Sequence, residues 1–533
     1  MDEQLNLIPY PRKVSLLGGS LHLADEIDVV AVAPARAAAD YLGKLLERGA
    51  GLRPRYVFPE SPGLDIGRAV PGETGDIARI SFAPFSAGTE PELQGGGEAY
   101  RLTVDSGEIS VEASGPEGYF WATQTIRQLL PSSIEIGGAK SDGCSLPRLE
   151  ILDWPEFSWR GLHLDVSRHF FPVAFIKGLI DVLCLYKINL FHWHLTDDQG
   201  WRIEIKRYPE LVETGSWRRG SDGVRQGGYY SQDEIRDVVA YASQRQVTII
   251  PEIEMPGHAR AAIAAFPWLS CTKDPIEVWN HGGISKDLFC AGREETFEFI
   301  QNVLDEIVDL FPSDTIHIGG DECPKERWKS CPECQARIRQ EDLGDEAGLQ
   351  GYFVRRVQAY LARLGRKIVG WDEIVEGDLA PGATVMSWRG LEGGISAAAA
   401  GHRAVMSPTS HCYFDYRQSA NPGELGPTHF HPPVTTLRKV YSFDPIPDGL
   451  DEGLKGYIVG SQGNVWTEDI DTPERAGYMI FPRLCALAEV LWSPAQARNW
   501  EAFKVRLASS IRRLDVLSVT YCMVVESLDE EGK

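Results

Sequence analysis

The sequence predicts a parallel (β/α)8 barrel with C-terminal helices over residues 153–533, preceded by a small, non-catalytic α+β domain over 1–152. Three observations lead there. Beyond residue 153, short and almost uninterrupted apolar runs alternate with amphipathic helical stretches, the pattern of parallel strands covered by helices. The apolar runs number eight, enough to close a barrel with long insertions. No Gly-rich phosphate loop follows the first of them, as a doubly wound open sheet would usually carry.

The first domain mixes turns with short strand-like runs. Residues 35–48 read as a helix, because Ala38, Tyr41, Leu42, Leu45 and Leu46 share one side. Residues 100–104 and 108–112 alternate apolar and polar side chains around Asp105, Ser106 and Gly107, which predicts a hairpin. A second helix is expected over 119–130, and a Gly/Ser-rich segment at 137–145 marks the boundary with the barrel. Barrel strands are expected at 161–164, 189–193, 247–251, 315–318, 367–371, 384–387, 404–406 and 456–459. Between the third and fourth lies the clearest helix, 295–310, with Phe297, Ile300, Val303, Leu304, Ile307 and Leu310 at three- and four-residue spacing.

At 533 residues the chain exceeds what one hydrophobic core usually serves, in keeping with two domains. A net charge of −23 with no compensating basic stretch argues against nucleic acid or an anionic membrane as partner. No apolar run reaches the roughly 18 residues of a membrane span. The first four residues do not lead a charged segment into an apolar one, so no signal peptide is expected in this chain. It is then either cytoplasmic or the mature form of an exported protein. Ten cysteines are scattered along it. Only Cys323, Cys331 and Cys334 lie close together, and with no fourth ligand in view they read as structural thiols rather than a metal centre.

Barrel enzymes build their sites from the carboxyl ends of the strands. In order, those ends present Asp165, Arg168 and His169; His194, Asp197 and Asp198; Glu252, Glu254 and His258; Asp321 and Glu322; Trp371, Asp372 and Glu373; Trp388 and Arg389; Tyr413 and Asp415; and Trp466 and Glu468. The fourth is the most pointed. An apolar strand stops at Gly319 and Gly320, where the backbone can bend sharply, and then offers two adjacent carboxylates. Alone, Asp321 and Glu322 would read equally well as helix-capping residues; beside seven other polar strand ends they read as acid/base groups. Flat rings, carboxylates and an arginine suit a sugar, whose apolar face stacks on rings and whose hydroxyls take forked hydrogen bonds. A metal hydrolase would use the same acids with His194, His258, His317, His429 and His431. His429 and His431 lack a helical spacing, however, and His192 and His194 share a strand face with no third histidine placed to join them. No metal is expected at this site.

Residues 317–322, the stretch holding Asp165, Ser167, Arg168, His169 and Phe171, the Asp197-Asp198-Gln199 segment and residues 251–258 together resemble the β-N-acetylhexosaminidases, over nearly the whole chain. The resemblance implies an exo-acting, retaining glycoside hydrolase that releases terminal N-acetylglucosamine or N-acetylgalactosamine without a cofactor. Consecutive residues, with Cα atoms about 3.8 Å apart, are poorly placed to bracket a sugar ring as acid and nucleophile at the usual separation of about 5–5.5 Å. They can serve if one protonates the leaving oxygen and the other holds the substrate's acetamide, whose carbonyl oxygen attacks C1. The resemblance accordingly implies Glu322 as general acid and base, Asp321 as the acetamide acceptor and Tyr413 as donor to the acetamide oxygen. Trp371, Trp388 and Trp466 would box the acetyl group and floor the ring, while Arg168, Asp415 and Glu468 hold the distal hydroxyls. Asp197 and His258 would support the acid, with Glu254 beside them in place of the aspartate many relatives carry. The loops 216–226 and 418–433 would set pocket depth. Two alternatives stay open: a specificity-shifted relative that releases a disaccharide or a sulfated sugar, and a catalytically silent carbohydrate-binding protein. The expected partners are glycans ending in β-linked N-acetylhexosamine, with a homodimer as an assembly open to the chain.

Overall fold

Eight parallel strands close into a barrel in the computed structural model, in the chain order the apolar runs predict. The structure describes residues 5–58, 78–85, 96–138, 144–220, 223–377, 379, 381–421, 423–427 and 432–523. The strands are β8 (Trp159–Asp165), β9 (Leu190–His194), β10 (Thr248–Glu252), β11 (Thr315–His317), β12 (Lys367–Trp371), β13 (Thr384–Ser387), β14 (Arg403–Met406) and β15 (Ile458–Val465), numbered after seven strands of the preceding sheet. β15 pairs with β8 from Gly460↔Trp159 to Val465↔Leu164, which closes the ring. Helices such as Val173–Leu185, Gln232–Ser243, Glu294–Leu310 and Glu346–Arg363 cover the early strands. The fifth connection has instead a 3-10 turn at Asp372–Glu376.

The last strand runs six residues beyond its predicted end at 459. Its continuation carries Ser461, Gln462 and Asn464, polar residues that break the apolar pattern yet are fully buried. They are satisfied inside the barrel. Asn464 Nδ2 donates to Ser407 Oγ at 2.8 Å, Ser407 Oγ donates to the Gln462 carbonyl at 2.9 Å, and Gln462 Nε2 lies 2.9 Å from His192 Nδ1. Burial without loss of hydrogen bonds is the condition under which polar residues occupy a core. A separate apolar layer of Trp159, Ile250, Val369, Trp371, Met386, Val405 and Val459 fills the rest of the interior.

The preceding sheet holds β1 (Lys13–His22), β2 (Glu26–Ala31), β3 (Arg53–Val57), β4 (Ala78–Pro84), β5 (Tyr100–Val104), β6 (Glu108–Ala113) and β7 (Ser145–Asp153), in the order β1-β7-β5-β6-β4-β2-β3. β5 and β6 form the predicted hairpin. The helix Arg36–Ala50 matches its expected span, and the helix expected at 119 starts three residues earlier because Pro116 occupies its first turn. The Gly/Ser-rich segment at 137–145 leads into β7, which still belongs to this sheet.

The two layers meet through buried charge. Arg160 on β8 donates to Glu98 at 2.5 and 3.1 Å, and Lys187 Nζ lies 3.0 Å from Asp153 Oδ2 and 2.8 Å from the Tyr100 hydroxyl. The final helix, Trp500–Val516, returns to the sheet layer, where Arg506 donates to the Leu7 carbonyl and Arg513 to Glu135. No helix among the described residues is long and apolar enough to cross a membrane.

The cysteines correct the sequence reading. Cys323 stands apart, whereas Cys271 and Cys290, far away in sequence, fold against Cys331 and Cys334 to make a group of four. The group therefore has four thiols, two of them supplied by a connection that spacing alone did not link to Cys331 and Cys334.

Candidate active site

At the carboxyl end of the barrel lies a cavity of about 340 Å³. Its lining includes Arg168, Asp197, His258, Asp321, Glu322, Trp371, Trp388, Tyr413, Asp415, Trp466 and Glu468. Of the residues to which the resemblance gives a role, only Glu254 is absent from the lining.

One wall begins at the end of β8. Asp165 turns the chain by accepting from the Ser167 and Arg168 backbone amides at 2.8 and 3.0 Å. Arg168 is thereby aimed inward and fixed by Gln199 Oε1 at 2.9 Å, Asp197 at 3.0 Å and Asp165 at 3.3 Å. Burial disfavours its charge, but Asp197, Glu468 and Asp165 outweigh burial and keep it cationic. Glu468 stands 3.8 Å away, so the guanidinium is shared between the barrel rim and the cavity.

A chain of charged groups runs beneath the floor. Glu252 is wholly buried, with His194 Nδ1 at 2.5 Å, His317 Nδ1 at 2.7 Å, His192 Nε2 at 2.9 Å and the Trp371 indole N–H at 2.9 Å. His194 reaches on to Asp197 at 3.0 Å, and Asp197 reaches His258 Nδ1 at 3.1 Å. Burial alone would neutralise these groups, yet mutual attraction prevails. His194 is raised to about 10, His258 is also held protonated, and Asp197 and Glu252 are held far below the ordinary carboxylate range. His192, with other imidazoles near it, is pushed by burial down to about 4 and stays neutral. The adjacent Asp198 holds a loop instead, accepting from the Arg260 and Ser285 amides at 3.0 Å each.

Asp321 and Glu322 stand at the end of this chain. His258 Nε2 lies 3.8 Å from Asp321 Oδ2 and 3.6 Å from Glu322 Oε2. The preceding glycines are obligatory. At Gly319 φ is +65°, and a Cβ would meet a Glu254 carboxylate oxygen at 1.6 Å; at Gly320 φ is +95°, and a Cβ would meet Ile374 at 2.6 Å. Glu322 itself has φ +42°, a left-handed conformation costly for a side-chain-bearing residue. Asp321 is nearly buried, and that burial pushes it up to about 7, with His258 pulling it down and Glu322 pushing it up. Asp321 Oδ1 and His258 Nε2 have no hydrogen-bond partner, nor does Asp415 Oδ1 across the cavity. Buried polar atoms left open in this way are costly unless a ligand completes them.

The remaining wall is aromatic. Trp371 and Trp466 rings lie 5.7 Å apart, and Trp388 stacks near-parallel to Tyr413 at 6.3 Å. Trp388 is pinned by donating to Glu373 at 3.0 Å, and Trp466 lies under the Arg168 guanidinium at 5.1 Å. Burial and the neighbouring Asp415 push the Tyr413 hydroxyl far up, so it stays a neutral donor.

Glu254 lies behind Gly319, its two oxygens buried without partners. Burial first, then Asp321 and Glu252, drives its carboxyl upward and favours the neutral acid beneath the loop that carries Asp321. Sequence reasoning missed three contributors. Glu252 is the hub of the buried chain, Glu373 orients Trp388, and Tyr416 lines the cavity. Glu252 and Glu373 sit at strand ends already singled out; nothing in the spacing distinguished hub from rim. The loop at 216–226 forms a small ribbon, Trp217–Arg219 against Arg225–Gly227, and Arg218 donates to the Arg168 carbonyl at 2.5 Å. Of the 418–433 loop, Pro427 lines the cavity, while His429 and His431 lie outside the described residues.

Comparison with known proteins agrees with this geometry. The chain is 40% identical over 528 residues to a β-hexosaminidase of Porphyromonas gingivalis, covering 98% of this chain and 64% of that protein, so it spans somewhat less than two thirds of that relative's length. Among solved structures, the Vibrio harveyi exo-β-N-acetylglucosaminidase in complex with N-acetylglucosamine superposes with a TM-score of 0.82 at 34% identity, over 97% of this chain and 78% of that one. The Streptomyces coelicolor β-N-acetylhexosaminidase gives 0.82 at 30% identity over 98% of both chains. The model of glycosyl hydrolase family 20, domain 2, matches residues 4–154, and that of the family's catalytic domain matches residues 157–495. On its barrel, its site and these matches, the chain belongs to glycosyl hydrolase family 20.

Proposed function

We propose that the protein is an exo-acting, retaining β-N-acetylhexosaminidase that releases terminal N-acetylglucosamine or N-acetylgalactosamine, with the substrate's own acetamide as nucleophile. One observation carries the reading. Asp321 and Glu322 emerge side by side from one strand end, both facing His258 Nε2, at the floor of a cavity walled by three tryptophans and Tyr413. Two carboxylates so placed approach a bound ring from the same side.

Glu322 gives its proton to the glycosidic oxygen as the C1–O bond breaks. The acetamide carbonyl oxygen forms the new bond to C1, and the aglycone leaves as an alcohol. Asp321, ionised, accepts the acetamide N–H and offsets the positive charge of the resulting oxazolinium. Tyr413 donates to the acetamide oxygen and aims it. Glu322, now a carboxylate, takes a proton from water as that water attacks C1 and reopens the ring, so two inversions leave the anomeric configuration retained. Trp371, Trp388 and Trp466 box the acetyl group and the apolar ring face, and Arg168, Asp415 and Glu468 bind hydroxyls at the closed end. Asp197 fixes His258, and the His258 cation favours the ionised form of Asp321.

Nitrophenyl β-glycosides test the proposal. Those of N-acetylglucosamine and N-acetylgalactosamine are expected to be cleaved and plain β-glucoside to be inert, with a thiazoline mimic of the oxazolinium inhibiting competitively. Brisk cleavage of the glucoside would refute acetamide participation.

A further inference from the structure

We infer that Cys271, Cys290, Cys331 and Cys334 form a tetrahedral thiolate site for one structural zinc ion. The sulfur of Cys271 lies 3.8 Å from that of Cys334, and the sulfur of Cys290 lies 3.7 Å from Cys331 and 3.6 Å from Cys334. All four lie within 4.8 Å of one another. Zn–S bonds of about 2.3 Å place the corners of a tetrahedron about 3.8 Å apart, so the spacing is that of a zinc cage. It is not that of disulfides, whose sulfurs bond at about 2.05 Å. Cys144, Cys184, Cys412 and Cys485 are also buried, but none of them joins the group.

The surroundings fit a dianionic Zn(Cys)4 centre. Cys331 caps the helix Pro332–Gln340 and Cys334 sits in its first turn, at the positive end of the helix dipole. The Arg293 side chain lies against Cys290 and donates to the Trp268 and Ser270 carbonyls, bracing the loop that carries Cys271. Gly292 packs on the turn between the paired cysteines so closely that a Cβ would meet the Cys334 amide nitrogen at 2.4 Å. Glu333 Oε2 stands 3.4 Å from the Cys331 sulfur, and the Lys273 ammonium, 3.4 Å from the same carboxylate, offsets its charge.

Cys271 and Cys290 lie in the connection after β10 that also carries His258; Cys331 and Cys334 lie in the connection after β11 that also carries Asp321 and Glu322. None of the four lines the cavity. The ion would therefore staple two active-site loops together without touching substrate, a role in which metal binding adds to folding stability.

Metal analysis of the full-length protein, purified without chelator or metal resin, tests the assignment. About one zinc per chain is expected, released by a mercurial thiol reagent. Exchange with cobalt should give the visible bands of tetrahedral cobalt–thiolate coordination. C290S should lose the ion, and C144S, outside the cluster, should keep it. C290S also disturbs a buried side chain, so the metal content of the unmodified protein decides. Protein free of stoichiometric zinc, whether its four thiols titrate as free or are paired in disulfides, would overturn the inference, as would iron in its place. Zinc content is read independently of turnover, so it stands or falls apart from the proposed glycosidase activity.

Discussion

Replacing His258 by Asn should move the acid limb of the pH–rate profile toward higher pH. The asparagine amide can still donate to Asp197, so the change chiefly removes a positive charge 3.8 Å from Asp321 Oδ2. At that distance the attraction is about 4 kcal/mol at an effective dielectric constant of 20 and about 1 kcal/mol in bulk water. The two limits correspond to about 3 and about 1 pH units. Asp321 faces an open cavity but is itself nearly buried, so the shift should fall between them. The sign follows from the role: Asp321 must be ionised to accept the acetamide N–H, and ionisation is lost as pH falls through its value of about 7. Without the cation that loss begins at higher pH. The assay is kcat/KM for nitrophenyl N-acetylglucosaminide from pH 4 to 10, which reports the free enzyme. An acid limb that stays in place, or moves to lower pH, would refute the electrostatic link between His258 and Asp321.

Glu322→Gln should abolish turnover while preserving product binding measured by calorimetry, and Asp321→Asn should lower kcat by about 10²–10³, as loss of a group facing developing charge typically does. Wild-type rates in either variant would remove that residue from its assigned role. Glu254→Gln should change unfolding free energy in denaturant by less than about 1 kcal/mol, because burial already keeps that carboxyl neutral; a loss of several kcal/mol would mean that it is ionised. Glu98→Ala leaves the buried Arg160 guanidinium without its carboxylate and should cost about 3–5 kcal/mol in the same measurement.

Much of this architecture was legible because parallel strands buried on both faces must be apolar along their length. All eight runs fall on barrel strands, although the last strand continues well past its run. Where the reading fell short, the cause was long-range pairing. Gln462 and Asn464 look like the end of a strand until His192 and Ser407 are seen to satisfy them. The burial of Glu254 behind Gly319 was not legible, because sequence does not report burial. The cysteine cluster was invisible for the same reason: Cys271 and Cys334 are 63 positions apart, and only the folding of two barrel loops against each other brings them into contact.

The ionic seam between sheet and barrel bears on how small such an enzyme can be made. Arg160, Lys187, Arg506 and Arg513 all project from the barrel half toward acceptors supplied by the first 153 residues. Trimming the N-terminal layer would strip Arg160, Lys187 and Arg513 of their carboxylates on a surface shaped to exclude water, while Arg506 would lose a carbonyl acceptor and keep Glu489. A minimal catalyst cut at the start of β8 would need those four positions redesigned together, since the layer acts as the counter-charge of the barrel's base.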